Sequence, residues 1–218
     1  MLCMGEISPQ LADNEAWVDQ TFEKCDDILH RQVYLGQGRQ EGLLVYVEVA
    51  VSNLMLEEHV IGLSDVQPLK SYEEGKAALL AGNGLLFLDG DTNCYKISSK
   101  GYPGLGVKKA ENEKVIRGSQ EAFTESEKIN VALIRKRLRD SRMKVEEQTV
   151  GVRSHTMTAL VYMEDLIYQG LLTTMKQQLQ RYEIDGILDS GMLEQLSEKH
   201  WLSPFPQFQT TERPDRAA

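Results

Sequence analysis

The chain has 218 residues, 41% of them hydrophobic and 26% charged. That is the make-up of an ordinary folded protein whose core needs no disulfide or metal staple. Its 24 Lys and Arg against 33 Asp and Glu leave a net charge of -9, which does not draw in nucleic acid or anionic lipid overall. Collagen, coiled coil, disulfide scaffold and disordered chain are excluded, and no run of about 20 nearly uncharged apolar residues is present to span a bilayer.

No basic region followed by an apolar one opens the chain, so no secretory leader is expected. Cys3, Cys25 and Cys94 are odd in number and far apart, and His30, His59, His155 and His200 are scattered. Neither set has the spacing of a disulfide framework or a metal site.

In chain order, Trp17, Val18, Phe22, Cys25, Ile28 and Leu29 recur at three- and four-residue steps, predicting a helix over 17–33. Leu43 to Val51 reads as a central strand covered on both faces. Ser52 or Asn53 is placed to cap a following helix to about Leu63. Tyr72 to Leu80 is a short helix stopped at Gly82. Gly84 to Ser98 forms a hairpin about Asp89-Gly-Asp-Thr-Asn93. This turn also raises a cation site, but it lacks the ligand spacing of a calcium loop.

Past the Gly-rich stretch 101–106 the composition shifts. Ala122 to Arg139 is the longest helical pattern, with Thr124 and Glu127 spaced as a capping box. Lys144 to Gly151 and Thr156 to Met163 read as strands, Gly170 to Tyr182 as a helix, Ile184 to Leu188 as a strand and Met192 to His200 as a helix. From Ser203 the chain is Pro-rich and irregular.

Leu44-Val-Tyr-Val-Glu48 returns as Leu160-Val-Tyr-Met-Glu164, and apolar positions continue in step through Leu56 and Leu172. A related strand-helix unit in each half follows. The fold class is mixed α/β (α+β), with two subdomains, 1–114 and 115–218, each a small sheet with packed helices. The crevice between them is a natural ligand position. The two repeated strands are expected at the centres of separate sheets.

Motifs for a serine hydrolase elbow, a zinc protease, a P-loop and a dinucleotide fold are absent. Ser154 and His155 are neighbours on a strand and point to opposite faces, so they make no nucleophile-base pair. Glu125 and Glu164 form a carboxylate pair only on paper. The basic cluster Arg135, Lys136, Arg137, Arg139, Arg142 and Lys144 suits the C-terminal pole of a helix. It lacks the interleaved aromatics of a nucleic-acid surface. On a helical wheel Ser126, Asn130 and Arg137 form a polar row bracketed by apolar residues, predicting a partly buried Arg137 that meets Glu125, Glu212 or Asp215.

Four ordered stretches identify a family. They are Val115-Ile-Arg-Gly-Ser-Gln-Glu-Ala-Phe-Thr-Glu-Ser126, Asn130-Val-Ala-Leu-Ile-Arg-Lys-Arg-Leu-Arg139, Ser203-Pro-Phe-Pro-Gln207 and Thr211-Glu-Arg-Pro-Asp215. In order and spacing, from about Asp26 to Asp215, the chain resembles the A subunit of GerA-type nutrient germinant receptors of endospore-forming bacteria. It departs from the usual R-G-P-R-E-G-F-T-E-S at Ser119, Gln120 and Ala122, and has Glu48-Val49 where the family favours Asp-Gly.

The resemblance implies a soluble sensory or assembly domain, followed in the whole protein by transmembrane helices absent from this chain. It also implies the B and C subunits as partners, the spore inner membrane as location with this domain facing the spore core or cytoplasm, and a homo-oligomer in the full receptor. The role implied is coupling of nutrient detection to ion release and germination, with no chemical step, cofactor or metal. The candidates for ligand or partner contact are Arg117, Gly118, Glu121, Phe123, Thr124, Glu125, Asn130, Arg135, Arg137, Phe205, Glu212, Arg213 and Asp215. Two further readings stand beside it: direct binding of a small-molecule nutrient germinant in the crevice, and a small hydrolase or transferase built on Glu and Arg. The tail is expected to pack across the second half, with Phe205 in an apolar pocket and Arg213 paired to a carboxylate.

Overall fold

The apolar run at 42–47 organises the first half. In the computed structural model, which describes residues 5–36, 40–49, 66–98, 113, 117–181, 183–198 and 208–218, this run lies in strand β2 (Gln40–Val47). It pairs antiparallel with β1 (Ile28–Leu35) on one side and β4 (Gly84–Leu88) on the other. Strands β5 (Cys94–Ile97) and β3 (Val66–Leu69) complete a five-stranded sheet in the order β1-β2-β4-β5-β3. Side chains alternate across a strand. Leu43, Val45 and Val47 therefore join Leu85 and Phe87 under helices α1 (Leu11–Thr21) and α2 (Tyr72–Leu80), while Leu44, Tyr46, Leu86 and Ile97 form a second cluster on the opposite face. Burial on both faces is why the run is continuous rather than alternating. Pro68 sits on the edge strand β3, where a missing ladder donor is tolerated.

The helix expected over 17–33 is a correction. α1 starts at Leu11 and ends at Thr21, Lys24 turns the chain at φ +58°, and residues 28–35 are strand. Trp17, Val18 and Phe22 do face the core, as their spacing requires. Ile28 onward instead forms a full ladder with β2, from Ile28 opposite Val47 to Leu35 opposite Gln40. Long-range pairing overrides a local helical period there.

Helix α2 and the β4-β5 hairpin stand where the sequence puts them. Ser71 Oγ accepts from Glu74 N at 3.3 Å, and Gly82, at φ +89°, closes the helix. Its N–H bonds Leu79 O and that of Asn83 bonds Ala78 O, the paired arrangement of a Schellman motif. In the hairpin turn Asp91 accepts from Asn93 and from the Tyr95 hydroxyl. Its carboxylate serves the turn, and no metal-holding cluster occurs among the described residues.

The second half contains helix α3 (Glu127–Arg137), strands β6 (Met143–Val150) and β7 (Thr156–Met163), and helices α4 (Gln169–Arg181), α5 (Ser190–Ser197) and α6 (Pro214–Ala217). β6 and β7 make a two-stranded antiparallel sheet. The repeated Leu-Val-Tyr strands thus lie in separate sheets, but among the described residues only β2 is central; β7 has β6 alone beside it. α4 follows the second copy, while the helix expected after the first falls at 52–63, outside the described residues.

Two local expectations fail for identifiable reasons. Residues 184–188 are not a strand: the carbonyls of Ile184 and Asp185 take the N–H groups of Val152, Arg153 and Ser154, and Ile187 O takes the Thr156 hydroxyl, so the segment caps the hairpin turn instead of joining a ladder. The longest helix among the described residues is α4, because α3 begins only at Glu127. No helix of the described residues is long and apolar enough to cross a membrane.

Candidate functional site

Helix α3 joins three features: a seam with the first half, a docked tail and a cavity. Its start is not the expected capping box. Ser126 holds the cap position without a side-chain bond. Asn130 reaches back instead, its Oδ1 accepting from Thr124 N at 2.7 Å and its Nδ2 donating to Thr124 O at 2.8 Å. The loop before α3 is fixed by the helix itself.

At the other end the buried cation is Arg135, fully enclosed. Its Nε and Nη2 donate to the two oxygens of Asp27 at 2.8 and 2.7 Å, and Nη1 donates to the carbonyls of Asp140 and Met143. Burial opposes the guanidinium charge, yet the bonds and charge of Asp27 hold it above its usual range. Beside it Val145 N donates to Lys24 O and Asp26 N to Val145 O, both at 2.9 Å, so the turn after α1 bridges onto β6. Cys25 lies in this seam, and burial pushes its thiol up. The gap remaining at Asp27, Val47, Glu48, Lys128 and Glu147 is only about 10 Å³.

Arg137, two residues on and about 200° round the helix, is only partly buried. It bonds Glu121 at 2.5 Å and Ser119 at 3.1 Å, and none of the expected carboxylates. Lys136 takes the other oxygen of Glu121 at 2.9 Å; the Lys136 bond, then that of Arg137, draws this carboxyl below its usual range. Ser119 thus keeps a polar contact at a position where the chain departs from the family pattern. Arg117, Gly118 and Glu125 are exposed.

The tail is docked. Glu212 O accepts from Phe123 N at 2.8 Å. Glu113 is the anchor: its carboxylate receives Thr211 Oγ1, Glu212 N and Arg216 Nη1, and its own N–H donates to Glu212 Oε1. The Thr211 bond, aided by Arg216, lowers the Glu113 carboxyl. Arg213 pairs with Asp215, two residues on, and Pro214 is buried where α6 packs on α3. Phe205 falls outside the described residues.

Between α3, β7 and the tail lies a cavity of about 730 Å³, bounded by Glu113, Phe123, Thr124, Glu127, Asn130, Ile134, Val161, Thr211 and Glu212. A second, about 300 Å³, adjoins it under α4 and α5. The structure brings Phe123, Thr124, Asn130 and Glu212 together here; Arg135 lies on another face of α3, and Arg137, two turns beyond Asn130 on the same face, does not line the cavity. Sequence reasoning missed Asp27 and Glu113. The signal for Asp27 was an acid between an apolar helix face and a strand; for Glu113, only its place in an acidic stretch.

The family model described as Bacillus/Clostridium GerA spore germination protein matches residues 16–218. Among curated relatives, the chain is 31% identical to "Uncharacterized membrane protein YfkQ" of Bacillus subtilis (strain 168), over 97% of this chain and 45% of that protein. It is 28% identical to "Spore germination protein KA" of the same organism, over 97% and 43%, and 27% identical to "Spore germination protein A1", over 98% and 48%. The chain therefore spans about half the length of these relatives. Among solved structures, the crystal structure of the N-terminal domain of the A subunit of the Bacillus megaterium spore germinant receptor GerK3 superposes with a TM-score of 0.71, covering 99% of this chain and 89% of that one at 22% identity. At that identity the likeness is one of fold.

Proposed function

The chain belongs to the Bacillus/Clostridium GerA spore germination protein family, and from that premise we propose that it is the non-enzymatic N-terminal sensory and assembly domain of a germinant receptor A subunit. The observation that carries this reading is the end-to-end agreement in fold with such a domain, over 99% of the chain. The rest of the protein, including its membrane-spanning part, would lie in the half that the relatives have and this chain does not. The B and C subunits are the proposed partners and the spore inner membrane the proposed location, with this domain on the core side. Its proposed role is to couple nutrient detection to ion release.

The engaged side chains favour this over a hydrolase or transferase. Arg135, Arg137, Glu121 and Glu113 are each committed to structural partners. A second reading, direct binding of a nutrient germinant, draws support from the cavity beside the tail rather than from the seam, where the gap is about 10 Å³.

The test is genetic. Spores lacking the full-length gene should lose the response to at least one nutrient, and should regain it with the intact gene but not with one lacking the stretch that encodes these 218 residues. If germination on a broad nutrient panel is the same in all three strains, the receptor reading is wrong. Calorimetric titration of the 218-residue chain against the same panel tests the second reading.

A further inference from the structure

We propose that the open edge of β7 takes an extended segment of a partner protein as an added strand, seated between the two cavities. The direction of the edge follows from β6. Val145 turns away from β7: its N–H donates to Lys24 O and its carbonyl accepts from Asp26 N. Residues opposite each other in an antiparallel ladder either exchange both bonds or turn both groups outward. Val161, opposite Val145, therefore points its N–H and C=O away from β6, and so does Ala159, opposite Glu147. The Glu147 N–H, bonded to Asp26 Oδ2, agrees. Among the described residues nothing bonds these outward groups, although Ala159 and Val161 are both half-buried. Two donor-acceptor pairs about 6.8 Å apart are left, a template for another strand.

The cavities flank this edge. Ala159 and Val161 face α3 and line the larger, of about 730 Å³. Thr158 and Leu160 face α4 and α5 and line the smaller, of about 300 Å³. Ala159, Ser190 and Thr210 border both. A strand laid beside β7 would send alternate side chains into the two spaces. The smaller is walled by Leu160, Met175, Leu179, Leu193 and Phe208; the larger adds Thr124 and Asn130 to Val131 and Ile134. The segment that fits is therefore apolar at every second residue, with small neutral residues between. Among the described residues no Lys, Arg or His lines either space, so an Asp or Glu would find no counter-charge. Satisfying both pairs takes a backbone of the same spacing. A second copy of β7 would arrive with α3 and α4 on its own two faces, too thick for a cleft bordered by α5 and the tail. A single uncovered strand enters. The inference does not rest on nutrient recognition.

The probe is the peptide acetyl-Lys-Thr-Val-Thr-Val-Thr-Val-Lys-amide, titrated into the ¹⁵N-labelled 218-residue chain. Saturable shifts are expected at Ala159 and Val161, and exchange at these two amides should slow at least about tenfold. In an antiparallel pairing the threonine amides face β7 and the valines point toward α4 and α5. N-methylation of the threonines should therefore weaken binding at least about tenfold, and N-methylation of the valines should not. Ala159→Pro removes an outward donor and leaves the β6 ladder intact. Ser190→Trp fills the exposed border of both cavities. Each should weaken binding at least about tenfold, the second at the parental melting temperature. Absence of saturable binding, equal binding of the two N-methylated peptides, or indifference to Ser190→Trp overturns the site. Loss on methylating the valines instead overturns the antiparallel register. Ala159 and Val161 amides already protected in the free chain would show the edge filled from within, and also overturn it. Dimerisation in sedimentation that Ala159→Pro abolishes would assign the edge to a second copy and overturn the partner reading.

Discussion

Arg135→Ala should be the most damaging single truncation on α3. The change removes four hydrogen bonds: two to Asp27 and one each to the carbonyls of Asp140 and Met143. Asp27, only 5% exposed, is left as a buried carboxylate without its counter-charge. Breaking one side of a buried pair costs about 3–5 kcal/mol. For a chain this size each kcal/mol moves the melting temperature by about 2–4 °C, so a drop of roughly 6–20 °C is expected. Arg135→Lys keeps the charge but loses the planar fork, and should cost about 2 kcal/mol. The double change Asp27→Leu with Arg135→Met should recover most of the loss, since no charge is stranded. Urea and thermal unfolding followed by circular dichroism measure all three. Exchange at the Asp26 and Val145 amides reports whether the seam opens first. An Arg135→Ala variant melting within about 1 °C of the parent, or a double variant no better than the single, would refute the reasoning.

Gly82→Ala forces a side chain into a left-handed backbone at φ +89° and should cost about 1–2 kcal/mol in urea unfolding; no loss would mean the Schellman closure can relax. Asp140 is drawn from its ordinary 3.8 to about 2, chiefly by its bonds from Arg142. A carboxyl depressed on folding stabilises fully above about pH 4 and loses that contribution as pH falls toward 2. Carboxyl NMR should find its midpoint near 2, and Asp140→Asn should flatten that limb of the acid-unfolding curve; a midpoint near the ordinary value contradicts the pairing. Thr211→Val deletes a bond to Glu113 and should speed exchange at the Phe123 amide about fivefold, whereas unaltered exchange would show the tail held by other contacts.

Local signals carried much of this fold. A continuous apolar run, a short helical stretch stopped by glycine and an Asp-Gly turn point to β2, α2 and the β4-β5 hairpin without reference to anything distant. The failures share one cause. Residues 28–35 and 184–188 take their conformation from partners elsewhere in the chain: the β2 ladder in one case, the 151–156 turn in the other. The wheel on α3 correctly found a polar row, but a wheel does not say which side of a helix meets the rest of the protein. Within the basic cluster at the C-terminal pole the wheel does not single out Arg135, the most deeply buried charge among the described residues, and Arg137 bonds Glu121 rather than the carboxylates expected for it. The tail motif pointed to a docked segment, but its anchor, Glu113, lies 98 residues from Thr211, beyond the reach of any local pattern.

These attachments make α3 the element through which the two ends of the chain are mechanically joined. Eleven residues at 1.5 Å each give a rod of about 16 Å. Its last turn is bolted to the first half through Arg135 and Asp27, and its flank carries α6 and the tail. Glu121 binds Lys136 and Arg137, so the stretch leading into the second half is tied to the same turn. Close-packed helices shift as units rather than deform continuously. Through the contacts of the described residues, a displacement of the first half against the second reaches the tail by moving α3 or else breaks the seam. The seam is buried and fully bonded, whereas the tail anchor at Glu113 is partly exposed and held at the surface. Of the two joints the tail's is expected to yield first, so exchange at the Phe123 amide should be faster than at the Asp26 and Val145 amides of the seam.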